Sequence, residues 1–230
     1  MCRRTRGPGR RRLDLGGLDL LGARDKFFLR NLNILTVEDP IEYQLDGIGQ
    51  MQVNPKIDFT FASGLRAILR QDPDIMLVGE MRDRETFETA MHAAETGHLV
   101  YGTIHASSAP STIGRILDLF PEELHGAIRS AIAFNMKGIV AQKLLKSIMP
   151  GVSRVPVVEI MFIDVLIRKY VLEEQDHLIA DHIKKSTKDG MQDFTQSLKS
   201  LIDQGLIDRH DALEIAPNRE ALMMALKGIL

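Results

Sequence analysis

The sequence predicts an α/β fold, with a three-layer core around a mainly parallel sheet and a smaller helical C-terminal region. Short apolar runs typical of buried strands alternate with amphipathic helical patterns over the first two thirds of the chain, as in parallel sheets. The last third shows apolar residues at helical spacing. We therefore expect three regions: a basic head at residues 1–30, the α/β core at residues 31–163 and a helical subdomain at residues 164–230.

The strands of the core are predicted from short apolar runs that end at turn residues. Residues 34–37 form a β-branched run that stops at Pro40, and residues 48–53 form a second candidate strand. The apolar run at residues 75–78 follows an Asp-Pro-Asp stop and ends at a glycine. Residues 99–105 are predicted to be a strand as well. A further strand is expected at residues 155–162, after the Pro-Gly break that precedes it.

The helices are predicted from capping residues followed by apolar periodicity. Thr60 can cap a helix whose apolar face includes Leu65 and Ile68, and residues 83–96 form a second helix that ends at Gly97. We expect a long amphipathic helix over residues 121–148. Residues 164–230 are expected to form small helices, because their apolar residues recur at helical spacing.

Composition and charge exclude several functional classes. The chain has 230 residues, 44% of them apolar and 26% charged, as in ordinary globular proteins, and no apolar run approaches the ~18 residues of a membrane span. Cys2 is its one cysteine, which excludes an internal disulfide and a cysteine zinc cluster and favours a cytoplasmic protein.

Charge is divided unevenly between the head and the rest of the chain. Residues 1–30 carry nine Lys/Arg against three Asp/Glu, while residues 31–230 carry 20 against 28. A net negative core is a poor general binder of nucleic acid, so we expect no nucleic-acid partner. The head is low in complexity, and we expect it to be disordered.

Reactive side chains follow the predicted strands and are expected to meet at one edge of the sheet, where α/β proteins bind ligands. The candidates are Glu38, Asp39, Glu42, Glu80, Arg82, His98 and His105, with Arg66 and Arg70 on the first helix. The carboxylates suit Mg²⁺ bound through water or the activation of an attacking water. The arginines suit the neutralisation of phosphate charge.

Each candidate also has a plain structural interpretation. The acids can form strand-end turns, Glu80 can stabilise the start of the next helix, and the histidines can be satisfied internally. Arg66 and Arg70, one helical turn apart, can lie on a solvated face. A metal hydrolase with Glu80, His98 and His105 as ligands is a further alternative, although the spacing of the histidines fits no helical metal motif.

Three segments of the sequence stand out, in this order: LTVEDPIEY (residues 35–43), DPDIMLVGEMRD (residues 72–83) and TGHLVYGTIH (residues 96–105). Taken together, they resemble the secretion-superfamily ATPases of type II secretion and type IV pili. The first looks like the acidic box of that family, the second like its Walker B segment and the third like its histidine box. Residues 167–168 and 190–198 are most similar to the pilus retraction branch, and the four-cysteine zinc insert of the other branches is not found in this sequence.

The resemblance implies a RecA-like motor domain that works in a ring of six with ATP between subunits. It implies that Glu42 activates water with support from Glu38 and Asp39, that Glu80 is the Walker B acid near Mg²⁺, and that His98 and His105 form the histidine-box pair. The implied partners are further copies or paralogous ATPases and the inner-membrane pilus or secretion platform. The implied location is cytoplasmic, peripheral to that machinery.

The phosphate loop of the family has no counterpart in the sequence. No Gly-Lys-Ser or Gly-Lys-Thr occurs, and the arginine-rich residues 6–12 stand where the loop is expected. We also expect the N-terminal domain of the family to be absent. Two hypotheses follow. The chain is either a motor ATPase subunit, truncated and weakly active alone, or a non-catalytic interaction subunit that assembles with active paralogues.

Overall fold

The computed structural model describes residues 32–228, and the basic head predicted to be disordered, residues 1–30, lies outside them. The core is a parallel sheet of four strands in the order β2-β1-β3-β4. Its strands are β1 (Ile34–Glu38), β2 (Gly49–Gln52), β3 (Ile75–Val78) and β4 (Leu99–Gly102). The mainly parallel α/β core predicted from the sequence is confirmed.

Two helices cover one face of this sheet. They are α1 (Phe61–Ile68) and α2 (Arg84–Glu95). Thr60 begins α1 through a reciprocal capping box with Ser63, and Asp83 accepts from the Thr86 amide at the start of α2. Leu65 and Ile68 of α1 are buried against the apolar side chains of β1 and β3. The helix capped by Thr60 was predicted from that cap, and the second helix was predicted over residues 83–96 with its end at Gly97.

The predicted long helix over residues 121–148 is wrong in its extent, because the α-helix in this stretch ends at Asn135. Two helices flank the start of this stretch, α3 (Ala109–Leu117) and α4 (His125–Asn135), and residues Gly138–Lys146 form strand β5. The apolar residues of β5 fit helical spacing in the sequence. In the structure, however, β5 pairs antiparallel along its whole length with β6 (Arg154–Phe162). The backbone pairing with β6 therefore overrides the helical pattern of this segment.

The β5-β6 hairpin is a separate two-stranded sheet that joins the core to the C-terminal helices. The predicted strand at residues 155–162 is confirmed as β6, although it pairs with β5 instead of the parallel sheet. Ile139 and Met161 pack with α3 and α4, while Val155 and Val157 pack with Phe194 and other side chains of the C-terminal helices. One hairpin thus contacts both halves of the described chain.

The C-terminal region is helical, as predicted. Its helices are α5 (Val165–Leu172), α6 (Ile179–Lys185), α7 (Phe194–Asp203), α8 (Arg209–Ile215) and α9 (Arg219–Leu226). Arg129 of α4 makes a two-point ion pair with Asp176, the residue that begins the turn before α6, and also donates to the Val171 carbonyl oxygen. This contact fixes the region against the rest of the fold.

Between residues 32 and 228, no helix combines the length and the apolar character that crossing a membrane requires.

The hairpin should be sensitive to a methyl group at Gly138. A Cβ there would lie 2.7 Å from the Met161 carbonyl oxygen, so the backbone would have to move. We expect Gly138→Ala to lower the free energy of unfolding by about 1–3 kcal/mol. The control is Gly114→Ala in α3, where no atom lies within 4 Å of the new methyl group. That variant should be up to about 1 kcal/mol more stable, because alanine favours helices. Equal destabilisation of both variants in urea would contradict the close approach.

Candidate functional site

The parallel register brings the carboxyl ends of β1, β3 and β4 to one edge of the sheet. Val37 lies beside Val78, and Val78 lies beside Gly102. The chain beyond β4 is then held to the chain beyond β3 by Thr103. Its amide donates to the Val78 carbonyl, its carbonyl accepts from the Met81 amide at 2.9 Å, and its hydroxyl donates to the carbonyl oxygen of Gly79. This contact fixes the edge on which the candidate side chains stand.

Three of the predicted residues, Glu80, Arg82 and His105, form a charged cluster at this edge. One Glu80 carboxylate oxygen lies 2.5 Å from an Arg82 guanidinium nitrogen, and the other lies 3.2 Å from His105 Nε2. The Glu80 side chain is mostly buried, whereas Arg82 and His105 are exposed. The hydrogen bond from Arg82 lowers the pKa of Glu80 and outweighs the opposing effect of burial, so Glu80 is an ionised carboxylate at neutral pH.

Glu38 is the most buried of the predicted acids, and through Gln50 it is connected to the loop that follows β1. Its carboxylate accepts a hydrogen bond of 2.5 Å from the Thr36 hydroxyl and one of 2.9 Å from the Gln50 side-chain amide. Gln50 also donates to the Tyr43 carbonyl and accepts from the Leu45 amide. Residues 39–46, which we call the acidic loop, are therefore tied to β1 and β2 through one glutamine side chain.

Asp39 and Glu42, the other two acids of this loop that were predicted as site residues, are exposed. Asp39 begins the cis peptide bond to Pro40 and lies close enough to Arg82 to help raise the pKa of that guanidinium, after the larger effect of Glu80. Glu42 makes no side-chain hydrogen bond or ion pair with any residue between 32 and 228. Its carboxylate is thus free of protein partners in the described part of the chain.

His98 is placed away from His105. It precedes β4 and therefore stands at the amino edge of the sheet, where its Nδ1 lies 3.1 Å from the Ala93 carbonyl oxygen and 3.2 Å from the Thr96 hydroxyl. These contacts close the end of α2. The expectation that both histidines meet at one edge is wrong for this chain. The alternative of a hydrolase metal centre built from Glu80, His98 and His105 fails for the same reason.

The three candidate arginines do not share one environment. Arg82 belongs to the charged cluster, whereas Arg66 makes an ion pair of 2.6 Å with Glu85 in the first turn of α2. Arg70 lies beyond the end of α1, next to Gln71, whose carbonyl oxygen accepts a hydrogen bond from Asn33 just before β1. Arg70 therefore stands toward the amino edge, away from the charged cluster.

Among residues 32–228, no group of three or more His, Cys, Asp or Glu side chains comes together as a metal centre. In phosphate-binding sites Mg²⁺ keeps several waters and is held by one or two carboxylates together with substrate phosphates. Glu80, ionised and at the edge of the sheet, is the residue that can serve as such a carboxylate.

Sequence reasoning missed Gln50, Gln52 and Thr103, which hold the site without carrying its charges. Gln52 accepts from the Ile41 amide and so ties the start of the acidic loop to β2. The two glutamines alternate along a predicted strand beside an acidic loop, and that pattern was the available signal. Thr103 gave no comparable signal, because its contact with Gly79 depends on the pairing of β3 with β4.

A second cluster of Asp164, His182 and Ser186 lies among the C-terminal helices. Asp164 and Ser186 both contact Nε2 of His182, at 2.7 and 3.3 Å. A nucleophile relay needs the two contacts on different ring nitrogens. The cluster therefore holds α5 against α6, since Asp164 also caps α5 through the Ile167 amide.

Comparison with known proteins finds one family over most of the core. The profile described as "Type II/IV secretion system protein" matches residues 20–154. The type IV pilus retractation ATPase PilT of Pseudomonas aeruginosa is 42% identical over 188 residues, which is 80% of this chain and 54% of that protein. Type II secretion system protein E of the same organism is 54% identical over 122 residues, 53% of this chain and 23% of that protein.

Solved structures agree with these sequence matches. The pilus retraction motor PilT with bound ADP superposes with a TM-score of 0.72 at 39% identity, covering 82% of this chain and 54% of that one. The ATPase DotB of Legionella pneumophila gives 0.67 at 30% identity, with 80% and 51% covered. The chain thus spans about half the length of the PilT proteins that it matches.

The ion pairs of Glu80 should be visible in the pH dependence of stability. Because the pKa of Glu80 is lowered in the folded chain, its contribution is present above the ordinary value of 4.5 and is lost as pH falls through the lower, folded value. We expect Glu80→Gln to melt at a lower temperature than the parent at pH 7.

The difference between the Glu80→Gln variant and the parent should narrow progressively as pH falls below 4.5, the ordinary pKa of this carboxyl group. Glu88→Gln, which breaks an exposed pair with Arg84 on the surface of α2, serves as the control and should have a smaller effect. Melting curves that differ equally at pH 7 and pH 3.5 would contradict this assignment.

Proposed function

Because the chain belongs to the type II/IV secretion system protein family, we propose that it is a subunit of a motor ATPase. In this proposal the motor couples ATP hydrolysis to type IV pilus retraction or to a related secretion step. The supporting observation is the charged cluster of Glu80, Arg82 and His105 at the carboxyl edge, next to the acidic loop. Pilus retraction is the activity favoured in this proposal, because the match to PilT covers 80% of this chain and therefore extends into the C-terminal helices.

Each side chain of the edge has a proposed role in phosphoryl transfer. Glu42, which has no partner between residues 32 and 228, acts as the base that activates the attacking water. Glu38 supports Glu42 by holding the acidic loop through Gln50, and Asp39 supports it by placing negative charge near Arg82. Glu80 would hold Mg²⁺ through water. Arg82, with His105 on the other side of Glu80, faces the phosphates, where its guanidinium charge offsets the charge of the leaving group.

ATP and Mg²⁺ are the proposed substrate and cofactor. When bound, Mg²⁺ would neutralise charge on the β and γ phosphate oxygens. One oxygen of Glu80 accepts a hydrogen bond from Arg82 and the other lies 3.2 Å from Nε2 of His105, and each carboxylate oxygen can accept more than once. Glu80 therefore retains acceptor capacity for a water molecule while keeping both contacts. The type of donor, an ionised carboxylate, is the type that Mg²⁺ prefers.

The activity of the chain alone is proposed to be weak. Its sequence contains no Gly-Lys-Ser or Gly-Lys-Thr, so the amides and lysine that cradle phosphates in a phosphate loop are not supplied by it. Removing a single oriented donor in other enzymes costs a factor of about a hundred to a thousand in rate. Arginine side chains can attract ATP by charge, but they do not reproduce a set of oriented amides.

The proposed setting is a ring, either of six copies or with paralogous ATPases, at the cytoplasmic side of an inner-membrane pilus or secretion platform. A second function is favoured by the same missing loop: the chain acts as a non-catalytic subunit that assembles with active paralogues. The two functions differ in one property, the turnover of ATP by the purified chain.

Steady-state ATP turnover by the purified 230-residue chain, with and without Mg²⁺, tests the proposal. We expect turnover barely above background, reduced further by Glu42→Gln because an amide cannot act as a base. Asp46→Asn, another exposed acid of the same loop, is the matched control and should leave turnover unchanged. Robust turnover that Glu42→Gln does not affect would contradict the role of Glu42. No turnover together with stable entry into rings of an active paralogue would favour the non-catalytic subunit.

A further inference from the structure

The segment that carries His105 is anchored at both ends. At its start, Thr103 is bonded to the chain beyond β3, as described above. At its far end the segment runs into Ala109, the first residue of α3. Between these ends, the guanidinium of Arg115 reaches back to the His105 carbonyl at 3.4 Å. The position of His105 beside Glu80 therefore depends on where α3 begins.

The first turn of α3 leaves one amide without a local partner. Ser108 and Ser111 form a capping box in which each side chain accepts from the backbone amide of the other, at 3.2 and 2.9 Å. Pro110 has no amide hydrogen. The remaining donor, the Ala109 amide, is bonded at 2.6 Å to a carboxylate oxygen of Glu159, fifty residues further along the chain. One distant side chain thus completes the start of α3.

Glu159 lies on β6 and is only 7% exposed. Burial raises its pKa, opposed by the hydrogen bond from Ala109; Asp193 adds to the shift and Lys143 counters it. A carboxylate in this position is therefore less favourable in the fold than a neutral side chain of the same shape. A contribution to overall stability does not explain an acid at this point.

The face of β6 that carries Glu159 also contacts the C-terminal helices. Ile160 exchanges backbone hydrogen bonds with Gln192, and Val157 packs in the same cluster as Phe194 and Leu198 of α7. Glu159 thus stands on a strand that is fixed to the C-terminal region, while its carboxylate holds the helix that follows His105. Hydrogen bonds therefore link the C-terminal region to β6 and Glu159 to Ala109, and the chain from Ala109 back to His105 completes the connection to the charged cluster.

We propose that Glu159 is a positioning residue that holds the start of α3 and thereby keeps His105 against Glu80. It links the charged cluster to the β5-β6 hairpin and, through the hairpin, to the C-terminal helices. The purpose of this link rests on the proposed ATPase function, but its geometry does not. Motion of the C-terminal helices and occupancy of the cluster would then be coupled through a single carboxylate.

The test uses the whole chain and needs no nucleotide, so it fails or succeeds independently of ATP hydrolysis. Glu159→Ala removes the acceptor, Glu159→Gln keeps a carbonyl oxygen in its place, and Glu123→Ala changes an exposed acid as a control. Amide hydrogen exchange is measured along the chain. The side-chain ¹H–¹⁵N signals of His105 are recorded by NMR, with Glu80→Gln as the reference for a broken contact.

In Glu159→Ala, exchange over residues 105–112 should rise about tenfold or more, as expected when a buried donor loses its partner. Exchange in β1 and β3 should change less than about twofold, and the His105 signals should move toward those of Glu80→Gln. Glu159→Gln should restore both readouts and melt no lower than the parent, since it removes a buried charge. Glu123→Ala should match the parent.

Two results would overturn the proposal: unchanged His105 signals in Glu159→Ala, or a rise in exchange that is uniform along the chain. If Glu159→Ala does not fold, Glu159→Asp replaces it, because a side chain shorter by one methylene keeps the charge and withdraws the acceptor. The same changes over residues 105–112 are expected there, and their absence would overturn the proposal equally.

Discussion

The in-register parallel pairing of β1, β3 and β4 is the constraint on which the rest of the structure depends. Parallel strands end at the same edge of a sheet. Residues that follow three separate strands therefore lie close together even though they are far apart in the sequence. Glu80 and His105 lie 25 positions apart and approach to 3.2 Å for this reason. The hydrogen bonds of Thr103 then keep the edge closed where the strand pairing ends.

The parallel core was predictable because its signals are local. β1 and β3 are short, largely apolar runs, and α1 begins at Thr60, a capping residue that bonds as expected. The segment 138–146 was not predictable in this way, since its apolar residues suit a helix and a strand alike. Its pairing with β6 decides between them, and that pairing lies in the tertiary structure.

The candidate site was predictable in its charges and not in its supports. Charged residues that directly follow predicted strands indicate a ligand-binding edge of the sheet, and Glu80, Arg82 and His105 were predicted on that basis. His98 was misplaced because it precedes its strand, a distinction of a few residues that exchanges one edge of the sheet for the other. Gln50 and Glu159 accept hydrogen bonds from the backbone amides of Leu45 and Ala109, and such pairings become visible only in three dimensions.

In the proposed function the carboxyl edge binds nucleotide, although the sequence contains no Gly-Lys-Ser or Gly-Lys-Thr. Titration of the ¹⁵N-labelled chain with Mg-ADP, followed by backbone amide shifts, tests it most directly because weak binding still moves resonances. The account predicts shifts at residues 38–42, 80–82 and 103–105, with none at the amino edge around Arg70 and His98. Shifts centred on that amino edge, or no shifts at millimolar nucleotide, would contradict it.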